Sequence, residues 1–211
     1  TWQSIGMRMQ IVETVESEMR YSARTWNREF ATRYVIDLEG RLVEFSHFKH
    51  FNNESYVKDV IEVASSFGCT VGCHHCAAAD LPNMQPLTSN EIEACTELIA
   101  ERHGITSSSP LLITFSGIGE ASLLRTPMFT SAENMQRSFP LAEFVMTTVG
   151  IRPDFLASIG SLARRVRLKY LQVSVFSADA LAVRAMMPLG DGLGYSPQRL
   201  VDAMAAEPAR R

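Results

Sequence analysis

Apolar positions recur at two rhythms along this chain. Between Ile5 and Phe30 they fall at near-helical intervals, Ile11, Val15, Met19 and Trp26, among many charges. That spacing predicts one or two amphipathic helices beside the main body. From Arg33 the pattern tightens: Tyr34-Val35-Ile36-Asp37-Leu38, then Glu39-Gly40, then Arg41-Leu42-Val43-Glu44-Phe45, which predicts a β-hairpin over Arg33 to Phe45. The polar and aromatic stretch from His47 to Tyr56 is expected to be loop.

Beyond Tyr56 strand and helix patterns alternate. Val57 to Ser65 is expected as a strand running into a group of cysteines, followed by a helix over Ser89 to His103 that opens on the capping residues Ser89, Asn90 and Glu91. Then come a strand over Leu111 to Phe115, a helix around Ala132 to Phe139, a strand over Phe144 to Thr148, and a helix over Pro153 to Ala163 with proline near its start. A strand over Leu171 to Phe176, a helix over Ala178 to Met187 ended by Pro188 and Gly190, and a last helix beginning at Pro197 complete the run. Four strand-then-helix units imply a parallel sheet with helices outside it. The predicted fold is therefore α/β, a partial (β/α) barrel preceded by an N-terminal helix and β-hairpin. The division expected is an N-terminal helical segment and hairpin over 1–50 and a core over 51–211 that is incomplete at its C-terminal end. In such a core catalytic groups gather at the carboxyl ends of the strands. The Gly-rich stretch from Gly190 to Pro197 lacks the spacing of a phosphate cradle and is assigned no chemistry.

Composition narrows the classes of function. With 46% hydrophobic residues in 211 the chain can bury a substantial core. The net charge of -3 gives weak long-range attraction to a phosphate backbone, so nucleic acid is not the favoured partner. No run of 18 apolar residues and no secretory leader pattern is present, which predicts no membrane association and a cytoplasmic location. Three of the four cysteines fall within one short segment, as thiols serving a metal or catalysis do in a reducing compartment; a disulfide framework is not expected.

That segment, Gly68-Cys69-Thr70-Val71-Gly72-Cys73-His74-His75-Cys76, directly follows a predicted strand. Three thiolates on one loop can hold three corners of an iron-sulfur cubane and leave the fourth iron open. The alternative is a closed zinc site completed by His74 or His75, although no second cysteine pair follows downstream. Cys95 sits mid-helix beside Ile92 and Leu98 and reads as a buried apolar thiol.

The loop resembles that of the radical S-adenosylmethionine superfamily, and its surroundings are similar to the branch containing the RNA adenine carbon-2 methyltransferases. The residues that carry the likeness are Ser65-Ser66-Phe67-Gly68-Cys69, Gly119-Glu120-Ala121, Thr147-Thr148-Val149-Gly150 and Ser174-Val175-Phe176, in matching order and spacing over about residues 32 to 190. The resemblance implies that Cys69, Cys73 and Cys76 hold a 4Fe-4S cluster and that S-adenosylmethionine binds beside it. Glu120, with Gly119, would take the cofactor's ammonium; Thr147, Thr148 and Ser174 would meet its carboxylate or ribose; His75 would lie against its adenine. It also implies reductive cleavage to a 5′-deoxyadenosyl radical, with electrons from a donor such as flavodoxin or ferredoxin. Complete barrels of this superfamily commonly have six units, against four here.

The chain departs from the branch where methyl transfer would need it most. The cysteine expected seven residues before Cys69 is Glu62, and no cysteine follows Cys95 to carry a methyl group. Ala121 replaces a proline, Val149 a serine and Phe176 a histidine. Glu62 is a candidate catalytic residue, a base or a grip on a polar substrate, if it faces the barrel mouth; otherwise it is a solvated strand residue. The leading expectation is a radical enzyme acting on a nucleoside, small metabolite or peptide. An RNA adenine methyltransferase, and a non-catalytic zinc or cluster-binding module, are the alternatives.

Overall fold

The computed structural model describes residues 6–20, 28–52, 55–81, 85–177 and 179–206, with backbone alone for 17–20, 28–30 and 191. Strands β1 (Met9–Arg20), β2 (Arg28–Leu38), β3 (Arg41–Asn52), β4 (Ser55–Glu62), β5 (Leu111–Phe115), β6 (Glu143–Thr148) and β7 (Leu168–Val173) form one seven-stranded sheet in sequence order. The first three pairings are antiparallel and the last three parallel. The β2–β3 turn places both Glu39 and Gly40 at positive φ, 55° and 88°, the geometry that matches the twist of a two-residue hairpin.

Helices α1 (Ser89–Arg102), α2 (Arg125–Ser138), α3 (Asp154–Leu162), α4 (Ala180–Met186) and α5 (Pro197–Ala206) follow the cysteine loop. Alternation along the strands separates the sheet's two faces. Ile36, Phe45, Ile61, Ile113 and Phe144 are buried in one cluster with Ile92 and Ile99 of α1, Met128 of α2 and Phe155 of α3. The opposite-facing residues, from Ala31 of β2 to Gln172 of β7, line a groove of about 520 Å³. Helix α1 starts at Ser89 as expected, but its cap is the preceding Thr88, which accepts from the Glu91 amide at 3.2 Å while Glu91 accepts from the Thr88 amide at 2.7 Å, a reciprocal capping box.

Two expectations are corrected. The N-terminal helix predicted over Ile5 to Phe30 is, within the described residues, β1 and the start of β2; residues 1–5 and 21–27 lie outside them. Met7, Met9 and Ile11 alternate inward against the core, a period-two signal masked by the four-residue spacing of Ile11, Val15 and Met19. A register irregularity between Ile11 and Glu13 ends that alternation and leaves Val12 and Val15 exposed. The predicted loop from His47 to Tyr56 is mostly strand, because β3 runs to Asn52 and β4 begins at Ser55. The sheet therefore continues without a break across residue 50.

Candidate active site

The site grows from the seam between β4 and β5. Past its last paired residue, the chain after β4 stays bound to the β5 end: the Val63 amide donates to Thr114 O at 2.9 Å, and the Ser65 amide to Ile118 O at 2.8 Å. The following segment is clamped from the other side by the Phe67 amide to Gln85 O (3.0 Å) and the Cys69 amide to Leu81 O (2.9 Å). The Arg41 guanidinium stacks on the Phe67 ring, 4.3 Å from its centroid, and pairs with the buried Glu91 of the α1 cap. The loop that carries the cysteines is thus fixed at both ends and braced by the hairpin.

Within the loop Cys69 and Cys73 are half-buried, Cys76 is exposed, and all three thiols are free. Burial raises the Cys73 thiol to about 11, and the charges of Cys69 and Cys76 add to the rise. Burial also raises Cys69, against a Val71 amide directed at its sulfur. Burial thus disfavours the thiolate at Cys69 and Cys73, a cost that a bound cation would offset. Among the described residues no three His, Cys, Asp or Glu side chains converge on one metal-ion position. A cubane does not ask for such convergence, since each thiolate takes its own iron. Three free thiols on one loop are the donor chemistry that such a group takes.

Glu120 closes the site from the β5 side. It is 4% exposed, and its carboxylate accepts from the Ser122 amide (3.0 Å), the Ser122 hydroxyl (2.6 Å), the Thr148 hydroxyl and the Val149 amide (3.0 Å). No Lys, Arg or His pairs with it among the described residues. A buried carboxylate without a cation is an uncommon arrangement and one suited to an ammonium ligand. Its charge reaches the Cys69 and Cys73 thiols. Gly119, at φ 117°, lies so close to the cysteine approach that an added Cβ would stand 2.2 Å from Ser65 Oγ and 2.5 Å from Ser66 Oγ.

The other candidate residues divide between two places. Thr147 and Thr148 are neighbours in sequence, yet strand alternation sends Thr148 to Glu120 and Thr147 into the groove on the helix-free face. Ser174 prolongs β7 through its amide, which donates to Thr148 O at 2.9 Å. His75 is exposed and meets Phe176 edge-on, ring centroids 4.8 Å apart. Glu62 lines the groove and accepts from the Ser116 hydroxyl at 2.7 Å, which in turn accepts from Thr114 at 3.0 Å. Ser122 and Ser116 had no distinguishing signal in the sequence, since hydroxyls beside a strand end are common turn residues.

No protein-family profile and no curated protein matches the sequence. The fold has a counterpart among solved structures. The crystal structure of a radical SAM methyltransferase from Sphaerobacter thermophilus aligns with 92% of this chain and 53% of that chain, with a TM-score of 0.69 and 19% identity. The chain spans about half the length of that protein. No helix among the described residues is long and apolar enough to cross a membrane.

Proposed function

We propose that this protein is a radical S-adenosylmethionine enzyme built on a partial (β/α) barrel. The observation that carries the reading is the meeting, at one seam of this fold, of three free thiols on a clamped loop and a buried carboxylate with no cationic partner among the described residues. Cys69, Cys73 and Cys76 would hold the 4Fe-4S cluster. When bound, that cluster supplies the electron for reductive cleavage of S-adenosylmethionine to a 5′-deoxyadenosyl radical. Glu120 would take the cofactor's ammonium, with Gly119 allowing the close approach and Thr148 fixing the carboxylate's orientation. Ser174 would serve its other polar groups, Thr147 would meet it from the groove side of β6, and His75, steadied by Phe176, would meet its adenine. The free thiols suit the reducing cytoplasm, where a flavodoxin or ferredoxin would act as electron donor.

The substrate would occupy the groove on the helix-free face. Residues of six consecutive strands line that one groove, as a curled, barrel-like sheet allows. Glu62 stands there as a base or as an acceptor for a donor-bearing nucleoside, small metabolite or peptide. Glu62 stands where the two-cysteine methyl transfer of an RNA adenine methyltransferase would need one of its cysteines, and Cys95, fully buried in α1, is not placed to be the other.

The test is anaerobic reconstitution followed by iron and sulfide analysis, then reduction in the presence of S-adenosylmethionine. Expected are about four irons per chain and formation of 5′-deoxyadenosine. Both should disappear in Cys69→Ser, Cys73→Ser and Cys76→Ser, and iron should remain in Cys95→Ala. A colourless protein retaining one zinc would refute the reading in favour of a non-catalytic zinc module.

A further inference from the structure

Tyr195 lies in the Gly-rich stretch from Gly190 to Pro197, which carries no recognisable motif. It is 6% exposed, and its hydroxyl is a buried side-chain oxygen with no hydrogen-bond partner among the described residues. Leaving such a group unpaired carries its full desolvation cost, so folded proteins seldom do it without a use. The placement indicates the use. The Met187–Tyr195 segment is wound by bonds from the Gly190 amide to Met187 O (2.9 Å) and from the Tyr195 amide to Gly190 O (2.9 Å). This segment leans on the cysteine loop. The His74 amide donates to Met186 O at 3.0 Å, and the Leu189 side chain comes within 3.1 Å of the Cβ position of Gly72. The charge of Glu120 reaches Tyr195 as well, adding to burial in raising its phenol, yet the two are not bonded. Three of the carboxylate's four donors fall on Oε1, which leaves Oε2 with the Val149 amide alone.

We propose that Tyr195 is a cofactor-positioning residue whose hydroxyl donates a hydrogen bond to the carboxylate of bound S-adenosylmethionine while Glu120 takes the ammonium. The inference rests on the functional reading above. In an α-amino acid the ammonium and the carboxylate branch from one carbon. A pocket for it must therefore set an acceptor and a donor side by side. Glu120 alone would repel the ligand's carboxylate, and the phenol offsets that repulsion without introducing a cation that would compete for Glu120.

Equilibrium dialysis of S-adenosylmethionine and of its decarboxylated analogue against reconstituted wild type and Tyr195→Phe tests this, with the melting temperature of each protein measured without cofactor. The Tyr195→Phe substitution is expected to weaken S-adenosylmethionine binding about tenfold or more, as loss of a bond to a charged group does. It should shrink the preference over the decarboxylated analogue by the same factor. The cofactor-free melting temperature should hold or rise, because an unpaired buried hydroxyl is gone. Equal affinity in the variant, an unchanged preference, or a loss of affinity matched by a fall in cofactor-free stability would each overturn the role of Tyr195 alone. Wild type that binds no S-adenosylmethionine would instead overturn the functional reading beneath it.

Discussion

The imidazole of His47 lies flat on that of His103, ring centroids 3.5 Å apart and 22° from parallel. Each ring is held from its outer side. His47 Nε2 meets Asp59 Oδ1 at 2.8 Å, the Tyr56 hydroxyl donates to the other Asp59 oxygen at 2.5 Å, and the Tyr34 hydroxyl meets His103 Nε2 at 2.6 Å. The network ties β2, β3 and β4 to the end of α1, near the amino ends of the parallel strands and away from the cysteine loop.

A fall in stability on acidification follows. Burial, helped by the charges of His47, Lys49 and Arg102 and opposed by Asp59, lowers His103 from 6.5 to about 4. A histidine held neutral stabilises the fold above its ordinary value of 6.5, and that contribution is lost as pH falls from 6.5 towards 4. Burial pushes Asp59 up, but the bonds from His47 and Tyr56 outweigh it and leave the group below its ordinary 3.8. Its contribution is therefore lost only at lower pH. The melting temperature should be level above pH 6.5 and drop between 6.5 and 4, with the drop much reduced in His103→Gln. An identical acid profile in the variant would count against the histidine pair.

Glu120→Gln tests the buried carboxylate as a structural acceptor. Oε1 takes three donors and Oε2 takes the Val149 amide, whereas an amide side chain offers one acceptor and would turn its NH2 towards another donor. Urea denaturation should show a loss of about 1–3 kcal/mol, together with loss of S-adenosylmethionine binding. An unshifted midpoint would mean that the described bonds do not hold the loop.

Gly119→Ala tests the closeness of the two loops. The substitution meets a φ of 117° and two serine oxygens within 2.5 Å of the new Cβ, and backbone strain of that kind costs about 1–3 kcal/mol before any repacking. The variant should melt lower and lose iron on reconstitution, because Ser65 and Ser66 lead directly into Cys69. A variant with wild-type melting and iron content would show that the Ser65–Ser66 approach yields easily.

Glu62→Gln separates substrate handling from cofactor cleavage. Its carboxylate sits in the groove on Ser116 and makes no described contact with the cysteine loop. Formation of 5′-deoxyadenosine without substrate should be kept, while conversion of substrate should fall about a hundredfold or more if Glu62 moves a proton. Ser116→Ala, which removes only the bond that orients it, should give a smaller loss. Parallel loss of both activities would place Glu62 in the fold of the seam rather than at the substrate.

Much of this protein is local and could be read from the chain. The Asp37-to-Arg41 turn, the alternation from Leu111 to Met186, the capping of α1 by Glu91 and the thiol spacing each depend on residues a few positions apart, so short-range geometry already limits them. What the sequence could not decide is whatever a distant partner supplies. Met9 to Arg20 is a strand because β2 offers it a ladder of backbone partners, and only that pairing selects the Met7–Met9–Ile11 alternation over the competing helical spacing. Thr147 and Thr148 carry the same side chain, and the register of β6 alone sends one to the groove and the other to Glu120. Tyr195 looked like part of a Gly-rich loop. That its hydroxyl is buried and without a partner among the described residues leaves no local mark in the chain, because tertiary packing and not the neighbouring positions encloses it.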